Sequence, residues 1–269
     1  PYLQESRVVS CRHAGFRAVV PGGAGGLCAS PRYALCPAWG GHGAEGAGER
    51  CPYLEEAWMQ YCAAAAVRKF VPPDRASRPR CARDDYFYCA LYLDAAGPDA
   101  AGPEQMVDGI RVPERLLYTP NHMWMDPGAD GRWHLGIDGL LARTLEPIEQ
   151  VSFLAEAGVA QPAAVLRARG VDFQVVFPRA VAITAANCYL RADPERLARF
   201  PYSLGWLFEG REEPSMPPGE GLIDGREAPA WIAREVERMR QYPPPRGRQD
   251  LLRMLHDFFS PLASREVER

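Results

Sequence analysis

"CPYLEEAWMQYC", from Cys51 to Cys62, decides how the first third of this chain is read, because the chain opens on the same pattern. Residues Pro1 to Cys11 read "PYLQESRVVSC", and both stretches carry P-Y-L-x-E with a cysteine ten residues after the proline. The match continues outward: Ala14, Arg17, Val20 and Pro21 recur as Ala65, Arg68, Val71 and Pro72, an offset of 51. "CASPRYALCPAW" (Cys28 to Trp39) then meets "CARDDYFYCALY" (Cys81 to Tyr92) at an offset of 53. Residues 1–92 therefore read as a tandem duplication with a two-residue length change before the third cysteine.

The second copy holds Cys51, Cys62, Cys81 and Cys89, and the first holds Cys11, Cys28 and Cys36. The first copy's fourth member is expected just upstream of Pro1, with His13 as a substitute ligand. Four recurring cysteines admit three chemistries. Disulfide frameworks suit small cysteine-dense domains. Zinc sites are usually built from C-x₂₋₄-C knuckles, and none is present: 10, 18 and 7 residues separate Cys51, Cys62, Cys81 and Cys89. Iron–sulfur clusters are held by four thiolates spread around a wider object, which suits isolated cysteines. As one helix, Cys51 to Cys62 would put its sulfurs roughly 16 Å apart. A hairpin turning near Glu55–Glu56–Ala57 would bring them to about 5 Å, and Tyr53, Leu54, Trp58 and Tyr61 suit strands. The expectation is a hairpin that presents two ligands.

Composition excludes several classes. The chain has 269 residues, 47% of them hydrophobic, with a net charge of −3, so it offers no basic surface for nucleic acid. No apolar run approaches the length of a membrane-spanning helix. Lys69 is the sole lysine; the Ala, Gly, Pro and Arg bias suggests a GC-rich bacterial genome. Linkers are expected at Gly40 to Arg50, Asp94 to Gln105 and Arg211 to Gly221, all rich in Gly, Pro or Ala. Between the last two, "RWHLGID", "QVSFLAEAG", "VDFQVVFP" and "AVAITAAN" read as strands of a small barrel or sandwich.

Three blocks in that region carry a resemblance. "LLYTPNHMWM" (Leu116 to Met125) contains Y-T-x-x-H-x-W through Tyr118, Thr119, His122 and Trp124. "WHLGIDGLLARTLEPIEQVSFL" places Gly136, Ile137, Leu145 and Val151 in a second pattern. "DPERLARFPYSLGWLFEG" supplies Asp193, Pro194, Pro201, Tyr202, Gly205, Trp206 and Leu207. Together they resemble the H protein of the glycine cleavage system, over roughly 95 residues. The resemblance implies a lipoyl-carrier fold, and in that family lipoate sits on a lysine in a hairpin turn. Anchored on Phe177–Pro178 and Asn187, that position falls on Gly170 in "LRARGVDF", and no shift of register supplies a lysine. Fold alone does not restore the chemistry. Cys188 would need a base to act as a nucleophile, and His122 and His134 are the domain's only histidines. Asp172 and Arg169 at the emptied turn are candidates for a partner contact.

The tail reads as two helices. Ile232, Val236 and Met239 recur at helical spacing, as do Leu251, Leu252, Leu255, Phe258 and Phe259, with "YPPPRG" as a break between them. The pair packs on the barrel, or its second helix docks another subunit through the double phenylalanine. The fold class expected is α+β: duplicated small Cys-rich modules (1–39 and 51–92), a linker (93–114), an H-protein-like β-barrel or sandwich (115–210) and a C-terminal helical extension (222–269). The function expected is a non-catalytic accessory or scaffold subunit. Its metal ligands would be Cys51, Cys62, Cys81, Cys89, Cys11, Cys28 and Cys36, holding one or two [4Fe-4S] clusters that could pass electrons within a larger complex. Zinc is the alternative metal, in a stabilised interaction or regulatory protein; a further alternative is a lipoate-free partner in a one-carbon or acyl-transfer complex. No lipoate and no catalytic residue are expected. Partners would be other protein subunits, met through the barrel or the C-terminal helices, in the cytoplasm.

Overall fold

A computed structural model describes residues 2–11, 18–19, 26–36, 48–67, 69–71, 80–82, 84–97, 103–128, 131–155, 157–211 and 221–260. His13 and most of the linkers expected at 40–50 and 211–221 lie outside the described residues. The chain divides into two compact units, Pro1–Arg83 and Asp84–Arg269.

In the first unit, β1 (Leu3–Cys11), β2 (Ala18–Val19), β3 (Leu54–Cys62) and β4 (Lys69–Val71) form one antiparallel sheet in the order β2-β1-β3-β4. The hairpin expected within Cys51 to Cys62 is not formed. Glu55, Glu56 and Ala57 lack the Gly, Asn or Asp that a two-residue turn requires, so β3 runs straight through them. Its partner is the matching strand of the first copy, in a register from Leu3↔Cys62 to Cys11↔Leu54. Arg7 faces Trp58, its own counterpart at the offset of 51, so a local twofold axis passes between them. The edges obey the same symmetry, with Cys11↔Ala18 answered by Cys62↔Lys69. Short 3-10 turns follow at Leu27–Ala29 and Pro31–Leu35, and the first recurs at Arg80–Ala82.

The second unit begins with a 3-10 turn, Asp84–Tyr88, and α1 (Ala90–Ala96). The segment expected as a linker at 93–114 instead folds: β5 (Glu104–Val107) and β6 (Ile110–Pro113) make a hairpin whose Ile110 and Val112 are buried in the core. Alternating apolar residues won over the Pro and Gly signals that precede them. Next come β7 (Leu117–Tyr118), β8 (Met123–Pro127), β9 (Arg132–Ile137) and α2 (Gly139–Leu145). β10 (Ile148–Phe153), β11 (Gly158–Ala160), β12 (Ala163–Ala168), β13 (Val171–Val176) and β14 (Val181–Ala186) lead to α3 (Arg196–Arg199), β15 (Phe208–Arg211) and β16 (Ile223–Asp224). A seven-stranded sheet, β11-β14-β15-β9-β8-β7-β16, and a three-stranded one, β10-β12-β13, enclose the core. Trp124, Trp133, Phe173, Phe177 and Phe208 fill it.

Two C-terminal helices, α4 (Ala228–Arg240) and α5 (Arg248–Phe259), complete this unit. Pro243 to Pro245 separate them, since proline cannot continue a helix. Ile232 and Val236 of α4, and Leu251, Leu255, Phe258 and Phe259 of α5, join the same core. The double phenylalanine is thereby buried within the chain, which removes the apolar stripe that a docking helix would offer.

Candidate functional site

Two places gather chemistry-bearing side chains. In the first unit, the end of β1 carries Cys11 opposite Leu54, and the Leu54 amide donates to the Cys51 carbonyl at 3.1 Å. The Cys51 amide donates to the Cys28 carbonyl at 2.7 Å, joining the start of the second copy to the 3-10 turn of the first. Cys36 closes the next turn, its amide donating to Tyr33 at 2.9 Å. Burial raises the Cys28 thiol above its ordinary pKa; Cys51, Cys36 and Cys11 raise it further, and Cys28 shares a side-chain hydrogen bond with Cys36. Three neighbouring thiols thus each resist the ionisation of Cys28.

This grouping differs from the expected one. Cys51 joins Cys11, Cys28 and Cys36 rather than Cys62, which lies at the far end of β3, roughly 26 Å beyond Leu54 by strand rise. Cys62 is buried there, opposite Leu3 and Lys69. Cys81 is half-buried in its 3-10 turn, and Cys89 belongs to the second unit, where it caps α1. All eight cysteines are free thiols. As their side chains stand, no three His, Cys, Asp or Glu residues among the described ones are arranged to hold a metal ion.

The second place is His122, fully buried and with φ +62, between β7 and β8. Its Nδ1 lies 2.7 Å from Asp138 Oδ2. Asp138 is the N-cap of α2 and accepts from the Leu141 amide at 2.9 Å through its other oxygen. From the opposite side α4 and α5 cover the ring: Trp231 stacks on it at 4.6 Å, Phe259 meets it edge-on at 4.8 Å, and Glu235 Oε2 stands 3.8 Å from Nε2. That last separation exceeds hydrogen-bond length but still leaves a charge attraction between the two groups. Burial by itself pulls the imidazole pKa down; Asp138 and Glu235 outweigh it and raise it to about 8. Glu235 is held below its usual value: burial pushes it up, and His122 and Arg238 more than offset that. Asp138 was legible as a cap preceding "GLLARTL", whereas Glu235 had no signal to link it with a histidine 113 positions earlier.

The other candidates are structural. His134 is buried, stacked on Tyr88 at 3.8 Å, with Nε2 3.7 Å from Glu209. Cys188 is exposed on a 3-10 turn, and among the described residues no ion pair or hydrogen bond engages its thiol. Arg169 and Gly170, at φ +50 and +68, form the two-residue turn between β12 and β13. Arg169 donates to the Thr144 and Glu146 carbonyls at 2.6 and 3.2 Å, and Asp172 is bound bidentately by Arg167 at 2.7 and 2.9 Å. Both residues offered to a partner are thus engaged within the chain. Among the quoted motif residues, Trp124 donates from Nε1 to the Ile137 carbonyl at 2.8 Å, and a Cβ on Gly136 would fall 2.5 Å from the Trp124 ring. Tyr202 accepts from the Gly139 amide at 2.7 Å, and Asn187 donates to the Leu204 and Trp206 carbonyls at 3.0 and 2.8 Å. These side chains hold the sheets together.

No family model matches this chain. The chain is similar to the glycine cleavage system H protein of Methylobacillus flagellatus, with 28% identity over 126 residues, 46% of this chain and 99% of that protein. Among solved structures it is similar to a glycine cleavage system H protein from Mycobacterium marinum, at 22% identity and a TM-score of 0.37, over 45% of this chain and 98% of that one. The sequence similarity supports an H-protein-like domain in somewhat under half of the chain. No helix among the described residues is long and apolar enough to cross a membrane.

Proposed function

We propose that this chain is a non-catalytic accessory subunit in which Cys11, Cys28, Cys36 and Cys51 hold an iron–sulfur cluster and the H-protein-like domain carries no lipoate. The observation that supports the cluster is the Cys51–Cys28 backbone bond, which brings the start of the second copy to the 3-10 turn of the first. The cysteine spacing lacks the tight knuckles of zinc sites, and four separate backbone segments present the thiols, as a larger inorganic core demands. Loading would release the thiol protons, including the one shared by Cys28 and Cys36, so assembly should strengthen as pH rises.

The absence of lipoate rests on composition and position. The turn that aligns with the lipoyl hairpin is Arg169–Gly170, and the sole lysine, Lys69, lies on β4 in the first unit. An arginine cannot form the amide. The domain therefore serves as a scaffold for other protein subunits, and its barrel rather than α5 supplies the surface.

The test is metal and acid-labile sulfide analysis of the full chain purified without oxygen, with visible spectra before and after dithionite. Iron matching sulfide, with a broad absorption that bleaches, is the expected result. It should fall sharply in Cys51→Ser and Cys28→Ser and stay unchanged in Cys188→Ser. Zinc with a colourless spectrum would replace the cluster by a structural ion. Neither metal, or iron retained in Cys51→Ser, would overturn the assignment.

A further inference from the structure

A cavity of about 420 Å³ opens in the second unit between α1, the β5–β6 hairpin and the segment after α3. His122 is not among its lining residues, and four that are, Phe200, Tyr202, Ser203 and Leu204, come from the third H-like block. Its size falls in the range of small-molecule sites. Phe87, Leu93, Phe200 and Leu204 give it apolar walls, and Phe200 is left 40% exposed at its edge.

Four charges enter this apolar space. Arg115 is already engaged: Nη1 donates to Asp126 at 2.5 Å, and its guanidinium lies 5.1 Å over the Phe87 ring. Arg111, Glu104 and Asp94 are different, for none has an ion-pair partner among the described residues. Glu104 and Arg111 share one face of the β5–β6 hairpin. Arg111 faces Met106, and Glu104 faces Pro113, which makes the two charges diagonal neighbours. Diagonal positions in an antiparallel pair stand about 7–8 Å apart. Side chains as long as arginine and glutamate can meet across that distance, yet these two form no ion pair among the described residues, so both charges are left for a ligand.

We propose that this cavity binds a small zwitterion with an apolar body, of the size and charge pattern of an aromatic or branched α-amino acid. Arg111 receives the carboxylate, Glu104 receives the ammonium with Asp94 beside it, and the side chain lies against Phe87, Leu93, Phe200 and Leu204. A plain acid would leave Glu104 and Asp94 facing its negative charge, and a plain amine would leave Arg111 unanswered. The charge count of the lining selects the molecule that carries both.

The test is isothermal titration calorimetry of the full chain with L-phenylalanine, L-leucine, 3-phenylpropionate and phenethylamine. Saturable binding of at least one amino acid, ten-fold or more tighter than both single-charge probes, is expected. Arg111→Met and Glu104→Gln should each weaken it at least ten-fold while leaving the thermal midpoint in place, since both side chains lie at the rim of the unit. Leu204→Trp, which fills the cavity, should abolish it. No saturable binding of either amino acid would overturn the proposal. So would 3-phenylpropionate binding as tightly as L-phenylalanine with no response to Glu104→Gln.

Discussion

Raising the pH from 6 to 8.5 should loosen the second unit through a single group, His122. Its imidazole is charged in the fold and sits between Asp138 at 2.7 Å and Glu235 at 3.8 Å. In the unfolded chain it titrates near 6.5, whereas in the fold the two carboxylates raise that to about 8. A group whose folded pKa is raised contributes stability that is complete below the unfolded value and lost as pH climbs through the folded one. The difference of about 1.5 units corresponds to about 2 kcal/mol, fully present below pH 6.5 and gone above pH 8. For a unit of this size that is a fall in thermal midpoint of roughly 4–8 °C.

The groups facing the ring from every side fix the direction of the effect. Asp138 comes from the start of α2 and Glu235 from α4, with Arg238 2.5 Å from Glu235; the remaining neighbours, Trp231 and Phe259, are uncharged. Once the imidazole is neutral, two carboxylates share a buried space with one proton fewer, and α4 loses its charged anchor. The assay is urea unfolding followed by tryptophan fluorescence at half-unit pH steps. Four of the chain's six tryptophans, Trp124, Trp133, Trp206 and Trp231, lie in this unit. The control is His122→Asn, because asparagine tolerates the φ of +62 at this position. That variant should be less stable at pH 6 and flat across the window. A slope that survives in His122→Asn, or a wild-type curve that is flat from pH 6 to 8.5, would refute the charged pair.

Two further substitutions test the packing that surrounds this histidine. Gly136→Ala places a Cβ 2.5 Å from the buried Trp124 ring, which is wedged by its bond to Ile137, so overpacking should cost about 1–3 kcal/mol in urea unfolding. Phe259→Ala empties a fully buried site beside His122 and should cost about 3–5 kcal/mol. Limited proteolysis should then cut α5 first; equal protection of α5 in the variant would show that its anchor lies elsewhere.

What was legible divides along the range of the interactions. Tyr118, Thr119, Trp124, Gly136 and Trp206 were readable because their neighbours sit close in sequence or in a motif with fixed spacing: Thr119 bonds Met123, and Trp124 bonds Ile137. The two tail helices were readable because a period of 3.6 is a local property. The partner of β3 was not. A repeated strand announces that two similar edges exist, and it carries no mark of whether each folds on itself or pairs with its copy. Only the missing turn residues at Glu55 to Ala57 argue against the hairpin. The expected cysteine grouping depends on that same hairpin. Once β1 pairs with β3 about a twofold axis, the residue that precedes the second copy is carried to the first copy's turn, and Cys51 changes company. Under the cluster proposed for Cys11, Cys28, Cys36 and Cys51, one ligand comes from the second copy, the loading of one half is coupled to the fold of the other, and removing Cys51 should strip the centre.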